Sequence, residues 1–547
     1  MTSPIQSLRL DGFVPVPDDV AAGYRKRGLW RGVRLGDLPR VWADRWPDRP
    51  AVLGHSALTF AELDERVGAA AAGFVGLGLG PHDRVIVQMP NTADFPVVLF
   101  GLLRCGALPV LCLPGHREAE LTHLATLASA TALITADIVA GFDHRELAAR
   151  VCADVPAIRH VVIAGEAGPY RSLAGLIADH RHAAGEDWPG SAADPSEPAL
   201  LLISGGTTGR PKLIPRTHDD YDLNARASAD VCGLTADDVY MATLPSAHNF
   251  PLACPGIIGA LGVGAAVHLL ADPSPESAFA AIERHRVTVT AVVPPLAQLW
   301  VAATEWEDAD LSSLRLLQVG GAKLAAVTAR AIPDALGCTV QQVFGMAEGL
   351  LNYTRSDDSA EVVATTQGRP LLAEDEILVV DTEGRPVTPG TVGELLTRGP
   401  YTIRGYYRAA EHNRRAFTAD GFYRSGDLVQ VQPSGHLVVT GRVKDVVNRG
   451  GEGVPADELE QLLLGHPDIR DAAVIGLPDA TLGERVCAVV VPRAAVVPTL
   501  AGLIEHLRAS GLATFKFPDS LQVLDALPLT AVGKIDKKAL VVRFTAT

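Results

Sequence analysis

The sequence predicts an α/β protein: a large N-terminal core of α/β layers over residues 1–443, whose last part (about 370–443) is a β-rich subdomain, and a small α+β C-terminal unit over 444–547. Three observations predict it. Apolar β-branched runs alternate with helical patterns through the middle of the chain, short strands punctuated by Gly and Pro take over after about residue 370, and a separate helix–strand alternation begins beyond Arg442. At roughly 100 to 200 residues per domain, a chain of 547 residues suits a large unit with a smaller appendage.

In chain order, Arg84 to Gln88 and Ala107 to Cys112 read as short strands around a helix. Val287 to Val293, Leu314 to Val319 and Thr339 to Phe344 read as strands, with helical patterns over Leu296 to Trp306 and Lys323 to Ile332 between them. Strands buried on both faces and separated by helices are what a covered, mostly parallel sheet requires. Glu376 to Asp381 and Gly393 to Thr397 are the short strands of the β-rich part. In the C-terminal unit, Ala456 to Leu464 is an amphipathic helix, Ala472 to Gly476 and Val486 to Val491 are strands, Leu500 to Arg508 is a helix and Leu521 to Leu524 a strand. About 100 residues with their own alternation can fold as one unit.

Acidic residues outnumber basic ones 63 to 48, a formal charge of −15, spread along the chain. A nucleic-acid binder needs a basic surface to replace condensed counterions, so the acidic surplus weighs against that class and no nucleic-acid partner is expected. The 48% hydrophobic and 20% charged composition is that of a soluble globular protein. Seven cysteines, odd in number and forming no CxxC pair, fit a reducing compartment in which thiols serve as small hydrophobes. Met1 to Asp11 has neither the basic start nor the apolar run of a secretory signal, so a cytoplasmic protein is expected. Phe95 to Gly115 and Pro251 to Ala271 have the length of membrane spans. Arg104 and Pro109 interrupt the first and four glycines with His268 the second, so buried core elements are expected and no membrane contact.

The sharpest motif is Ser204-Gly205-Gly206-Thr207-Thr208-Gly209-Arg210-Pro211-Lys212, directly after the apolar run Ala199 to Ile203. Small residues and hydroxyls after a strand let backbone N–H groups surround phosphate oxygens. It is no P-loop, because Arg210 stands where the second Gly of that pattern belongs. Alone, it also admits the lesser reading of a glycine-rich turn with no ligand. Glu348 closes a strand and loop where a carboxylate suits Mg2+ or simply faces solvent. Asp427 sits in a Gly-Asp turn, either a surface turn or a seat for two ribose hydroxyls. Lys534 on its own is an ordinary surface lysine.

Together these motifs resemble the signatures of the adenylate-forming superfamily, which includes acyl-CoA synthetases, firefly-type luciferases and the adenylation domains of peptide synthetases. Ser204 to Lys212 is followed in order by Phe344-Gly-Met-Ala-Glu348, Tyr423-Arg-Ser-Gly-Asp427, Gly441-Arg-Val-Lys-Asp445 and Pro528-Leu-Thr-Ala-Val-Gly-Lys-Ile535, so the likeness spans nearly the whole chain. It implies an adenylation core over 1–443 and a mobile lid domain over 444–547 that swings about Lys444. Implied binders of ATP are Ser204, Gly205, Gly206, Thr207, Thr208, Gly209 and Lys212, then Gly321 and Ala322, then Phe344, Gly345 and Met346, with Asp427 and Arg442 at the ribose. Glu348 is the implied Mg2+ ligand and Lys534 the implied catalytic cation. Gly450 and Gly451, in Asn448 to Gly453, are expected to let a thiol-bearing arm reach the site, although the run also reads as a tight hairpin.

Within the superfamily, Leu213 to Tyr221, His248 to Gly256 and Gly349 to Arg355 resemble the stand-alone aryl-acid AMP ligases of siderophore-type pathways. Amino-acid-activating relatives keep an Asp for the substrate amine; here neutral Asn249 takes that place, and an amide can serve a phenol ortho to a carboxylate. Met346 fits this branch. Phe250, Cys254 and Leu351 occupy three positions where dihydroxybenzoate enzymes tend to carry Tyr, Ser and Val and salicylate enzymes Phe, Cys and Leu. A 3-hydroxyl buried beside a weak thiol partner would cost about 1–3 kcal/mol, so salicylate is expected over 2,3-dihydroxybenzoate. His248 and Gly320 complete the expected acid pocket, and His218 is read only as a helix-start residue.

The implied activity has two steps, formation of aryl-AMP from ATP and capture by the phosphopantetheine thiol of an aryl carrier protein. No Gly-Gly-Asp-Ser or Gly-Gly-His-Ser attachment motif is present, so the carrier is expected in trans. Rival readings are an aryl-CoA ligase, a non-catalytic nucleotide-binding regulator and, without specific support, a luciferase-like oxygenase. Since acid, ATP and carrier are all anionic, Lys212, Arg442 and Lys534 are expected to make a local positive site, and Lys516, Lys537 and Lys538 a carrier-docking face.

Overall fold

A computed structural model describes residues 10–181, 193–204, 211–449, 452–479, 482–493, 497–510, 512, 514–530 and 533–545, without the side chains of Lys444 and Glu452. The expected phosphate-loop residues Gly205, Gly206, Thr207, Thr208 and Gly209, the expected thiol-tunnel residues Gly450 and Gly451, and the side chain of Lys444 therefore lie outside the described residues.

The α/β core holds two large sheets. In the nine-stranded one, Val239–Ala242, Val289–Val292, Leu316–Gly320 and Thr339–Gly345 run parallel, and helices Pro294–Ala303 and Ala326–Leu336 connect them. Pro at the start of the first of these helices costs nothing, because the first turn has no use for its N–H. Residues just beyond parallel strand ends line the crevice where α/β sheets bind ligands, and Leu244, Val293 and Gly321 occupy such positions. The seven-stranded sheet carries Leu213–Thr217 at one edge, antiparallel to Pro198–Ile203. Pro215 is tolerated there because an edge strand leaves some N–H positions unpaired.

Both stretches of membrane-span length are core. Helix Asp94–Cys105 is apolar on nearly every side and almost wholly buried; Pro251 to Ala271 breaks into helices Asn249–Ala253 and Gly256–Gly262 and strand Ala266–Leu269. Among the described residues, no helix is long and apolar enough to cross a membrane. Cys105, Cys112, Cys232, Cys254, Cys338 and Cys487 are buried thiols, and Cys152 is half-buried.

Strands Glu376–Val380, Gly393–Arg398, Tyr423–Val431 and Leu437–Arg442 form an antiparallel sheet. Asp427 belongs to it, on a strand where a Gly-Asp turn was expected: it pairs across strands with Arg442. Gly426 at φ +73° accompanies a register shift against the neighbouring strand, and this irregularity made the segment read as a turn.

The C-terminal unit is built on strands Ile469–Asp479 and Gly483–Pro492. Their twofold alternation sends Val474, Val486 and Val490 to a core with Leu459, Leu463, Leu503 and Leu507, and Ile475, Cys487 and Val489 to a second core with Leu540. Val446–Arg449 and Glu452–Pro455 pair antiparallel, with Arg449 opposite Glu452.

Candidate active site

The phosphate-type motif begins where strand Pro198–Ile203 ends. Ser204 and Lys212 close its base: the Ser204 N–H donates to the Lys212 carbonyl (2.9 Å), and the Lys212 N–H donates to Ser204 Oγ (3.0 Å). The Lys212 ammonium lies 5.8 Å from the ring centroid of Tyr406.

Glu348 rides on a tight turn after strand Thr339–Gly345. The Met346 N–H donates to the Leu350 carbonyl and the Gly349 N–H to the Met346 carbonyl, while Ile403 N–H anchors the Glu348 carbonyl at 2.9 Å. A Cβ at Gly349 would fall 2.5 Å from Thr402 Oγ1 and 2.7 Å from its Cα, so only glycine permits this approach. The Tyr406 hydroxyl donates to Glu348 Oε1 (2.7 Å) and lies 2.9 Å from the Tyr423 hydroxyl. Burial, then the neighbouring Glu348 carboxylate, pushes the Tyr406 phenol far above its usual range, so it stays a donor.

The Asp427 carboxylate accepts from Arg442 Nε at 2.8 Å, and the Asp427 backbone N–H donates to Ser425 Oγ at 3.0 Å. Burial raises the Asp427 carboxyl while Arg442 opposes it; Asp427 in turn holds Arg442 more firmly protonated.

Lys534 reaches this region from the C-terminal unit, on a turn in which Thr530 N–H donates to the Lys534 carbonyl (2.6 Å) and Lys534 N–H to Thr530 Oγ1 (3.2 Å). Leu244, Pro245, His248, Phe250, Val293, Gly321 and Lys534 line one cavity. A Cβ at Gly321, whose φ is +84°, would lie 3.4 Å from Lys534 Cε, so the bare backbone leaves the lysine stem room. Burial and the Arg442 cation lower the Lys534 ammonium below the usual lysine range, against the pull of Asp427 and Glu348. His248 is pushed down to about 3, by burial and then by Lys534, and is neutral; its Nδ1 accepts the Phe250 N–H as a helix cap.

Behind the cavity, the Phe250 ring covers Gly320, where a Cβ would come within 3.0 Å of the ring and 2.6 Å of the Val343 carbonyl oxygen. Asn249 Oδ1 accepts from the Tyr221 hydroxyl (3.0 Å), and Asn249 Nδ2 donates to Cys254 Sγ (3.4 Å). Burial pushes the Cys254 thiol up to about 12, so it is a neutral, weak partner. Leu351 is buried, its N–H donating to the Tyr401 hydroxyl at 3.3 Å. Asn249, Cys254 and Gly320 thus pack beside Phe250, which lines the cavity, and Leu351 belongs to the same buried cluster. Phe344, Gly345, Met346 and Ala322 lie at or just past neighbouring strand ends, Gly345 and Ala322 exposed.

Of the expected basic docking residues, Lys537 is withdrawn: its ammonium pairs with Glu460 (2.8 Å) and Asp457 (3.5 Å) inside the C-terminal unit, and these carboxylates consume its charge. Lys516 pairs with Glu458 at 2.6 Å, and Lys538 is exposed. Sequence reading gave no individual role to Tyr406, Tyr221 and Arg216; their partners lie up to 185 residues away, and only the apolar-to-polar context of a buried phenol could have hinted at the first.

The family described as AMP-binding enzyme matches residues 39–407, and its C-terminal domain matches 458–534. The chain is 56% identical over 538 residues to a salicyl-AMP ligase / salicyl-S-ArCP synthetase of Mycobacterium tuberculosis, covering 97% of this chain and 94% of the relative. It is 49% identical to a 2,3-dihydroxybenzoate-AMP ligase of Bacillus subtilis, covering 97% of each. Among solved structures, the apo structure of Mycobacterium smegmatis MbtA shares 54% identity at a TM-score of 0.76, over 97% of this chain and 99% of that one.

Proposed function

From the premise that this chain belongs to the AMP-binding enzymes, we propose that it activates a hydroxyaryl carboxylic acid, salicylate in preference to 2,3-dihydroxybenzoate, and passes it to an aryl carrier protein. The observation that carries the reading is Lys534, brought from the C-terminal unit to a cavity it shares with His248, Phe250 and Gly321.

In the first step a carboxylate oxygen of the acid attacks the α-phosphorus of ATP, and the bond to the β-phosphate oxygen breaks, releasing pyrophosphate. Lys534 holds the attacking carboxylate and offsets charge on the five-coordinate phosphorus. Ser204, Gly205, Gly206, Thr207, Thr208, Gly209 and Lys212 hold the phosphates, Asp427 with Arg442 the ribose, and Gly321, Ala322, Phe344, Gly345 and Met346 the adenine side. Holding both reactants in line supplies much of the acceleration.

Mg2+ fits Glu348. Among the described residues no cluster of three or more His, Cys, Asp or Glu forms a self-sufficient metal cage, and Mg2+ characteristically uses one or two carboxylates with substrate phosphates and water. Tyr406 engages one Glu348 oxygen and leaves acceptor capacity on the carboxylate. When bound, the ion would neutralise phosphate charge beside that carboxylate.

In the second step a phosphopantetheine thiolate attacks the aryl-AMP carbonyl and displaces AMP. The lid, 444–547, turns about Lys444 for this, and Gly450 and Gly451 flank the thiol's path. The carrier arrives in trans, in the cytoplasm, near exposed Lys538. The M. tuberculosis relative's name, which includes salicyl-S-ArCP synthetase, favours a carrier over free coenzyme A. Lys534→Ala tests the reading: aryl-dependent pyrophosphate exchange disappears while ATP still binds, and near-normal exchange would refute it.

A further inference from the structure

Arg216 has no exposed surface, and a buried guanidinium is tolerated only when its donors are used. Its donors reach separate parts of the site. Nε donates to Asp220 Oδ1 (2.8 Å), one terminal nitrogen to the Ala347 carbonyl (3.0 Å), and the other to Asn224 Oδ1 and the Tyr401 carbonyl (3.3 Å each). Its carbon lies 4.7 Å from the ring centroid of Tyr221.

Each partner leads somewhere. Ala347 immediately precedes Glu348. Asn224 Nδ2 donates to the Ala253 carbonyl (2.6 Å) and lies 3.8 Å from Cys254 Sγ, and the Tyr221 hydroxyl holds Asn249. Arg216 itself sits on strand Leu213–Thr217, which opens just beyond the base of the phosphate motif. From the strand that follows the phosphate motif, one rigid, planar group therefore touches the Glu348 turn and the residues packed against Asn249 and Cys254, a reach that the single ammonium of lysine cannot reproduce.

We propose that Arg216 is a positioning residue for adenylation: through Ala347, Asn224 and Tyr221 it sets the spacing between the Glu348 carboxylate and the aryl-acid pocket. This rests on the aryl-acid adenylation reading. Misplacement of aligned reactants by about 1 Å costs on the order of 100-fold in rate. Because the guanidinium touches no reactant, its loss is read in kcat more than in KM.

The test is pyrophosphate exchange with Mg-ATP and salicylate on the full chain, with thermal unfolding alongside, for wild type, Arg216→Lys and Asp220→Asn. Arg216→Lys keeps a cation beside Asp220 and loses the fan of bonds; Asp220→Asn removes the counter-charge and keeps the fan. Expected for Arg216→Lys is a kcat lower by about 100-fold, KM values within about threefold and a Tm near wild type, whereas Asp220→Asn lowers Tm more than kcat. A kcat for Arg216→Lys within about threefold of wild type, or one that falls only in step with Tm, overturns the proposal. Should Arg216→Lys not fold, Asn224→Ala removes one acceptor of the guanidinium together with its link to Ala253 and must lower kcat while the KM values stay within about threefold; an unchanged kcat overturns the proposal equally. A wild type inactive with every aryl acid overturns the functional reading and this role with it, whereas an active wild type with an indifferent Arg216→Lys overturns only the role of Arg216.

Discussion

The Tyr406 hydroxyl donates to Glu348 Oε1 over 2.7 Å, joining residues 58 apart in sequence at the point where a phosphate-bound cation would sit. A hydrogen bond to a charged acceptor contributes about 1.5–3 kcal/mol. Removing it in Tyr406→Phe frees the carboxylate to rotate, and activity at limiting Mg2+ falls roughly 10- to 150-fold, recovering in part at high Mg2+. A Mg2+ titration of pyrophosphate exchange checks this; a titration superimposable on that of wild type would contradict it.

The proposed role of Lys534 predicts an alkaline limb. Burial and Arg442 lower its ammonium below the usual lysine range, so the free enzyme loses the charged form at a lower pH than an exposed lysine does. Only the charged form holds the attacking carboxylate, so kcat/KM for adenylation falls as pH rises through that lowered value. Replacement by Arg, which stays protonated, removes this limb whatever rate survives; an alkaline limb unchanged in Lys534→Arg would assign it to another group.

The proposed preference for salicylate rests on Cys254. Its thiol is buried, neutral and 3.4 Å from Asn249 Nδ2. Cys254→Ser supplies a full donor and acceptor for a 3-hydroxyl, and the ratio of kcat/KM for 2,3-dihydroxybenzoate over salicylate rises roughly 5- to 150-fold. Competition between the two acids measures it, and an unmoved ratio would show that selection is made elsewhere.

Legibility of the chain followed how local each signal was. The strands Arg84–Gln88 and Thr339–Gly345 and the helix Ala456–Leu464 stood out because their apolar period is contained within them. Strand Leu213–Thr217 was hidden by Pro215 and Arg216, residues that suit an edge strand with a buried ion pair but read as loop. Asp427 was mistaken for a turn residue because Gly426 marks a sheet irregularity as readily as a turn. Lys534, Gly321, His248 and Phe250 come from well-separated stretches, and each was singled out through motif resemblance, since nothing local to any of them states that they meet. Tyr406 went unnoticed, and Arg216, though inside the Leu213 to Tyr221 motif, was given no role, because their importance lies in contacts made by tertiary folding. The same is true of Lys537, whose expected freedom was cancelled by carboxylates 80 and 77 positions upstream.

The most direct measurement is a pyrophosphate-exchange panel over salicylate, 2,3-dihydroxybenzoate, benzoate, anthranilate and 3-hydroxypicolinate with Mg-ATP. The site described here predicts exchange that depends on an aryl acid, highest kcat/KM with salicylate, and second place for 2,3-dihydroxybenzoate. Absence of exchange with all five acids would contradict the account at its centre.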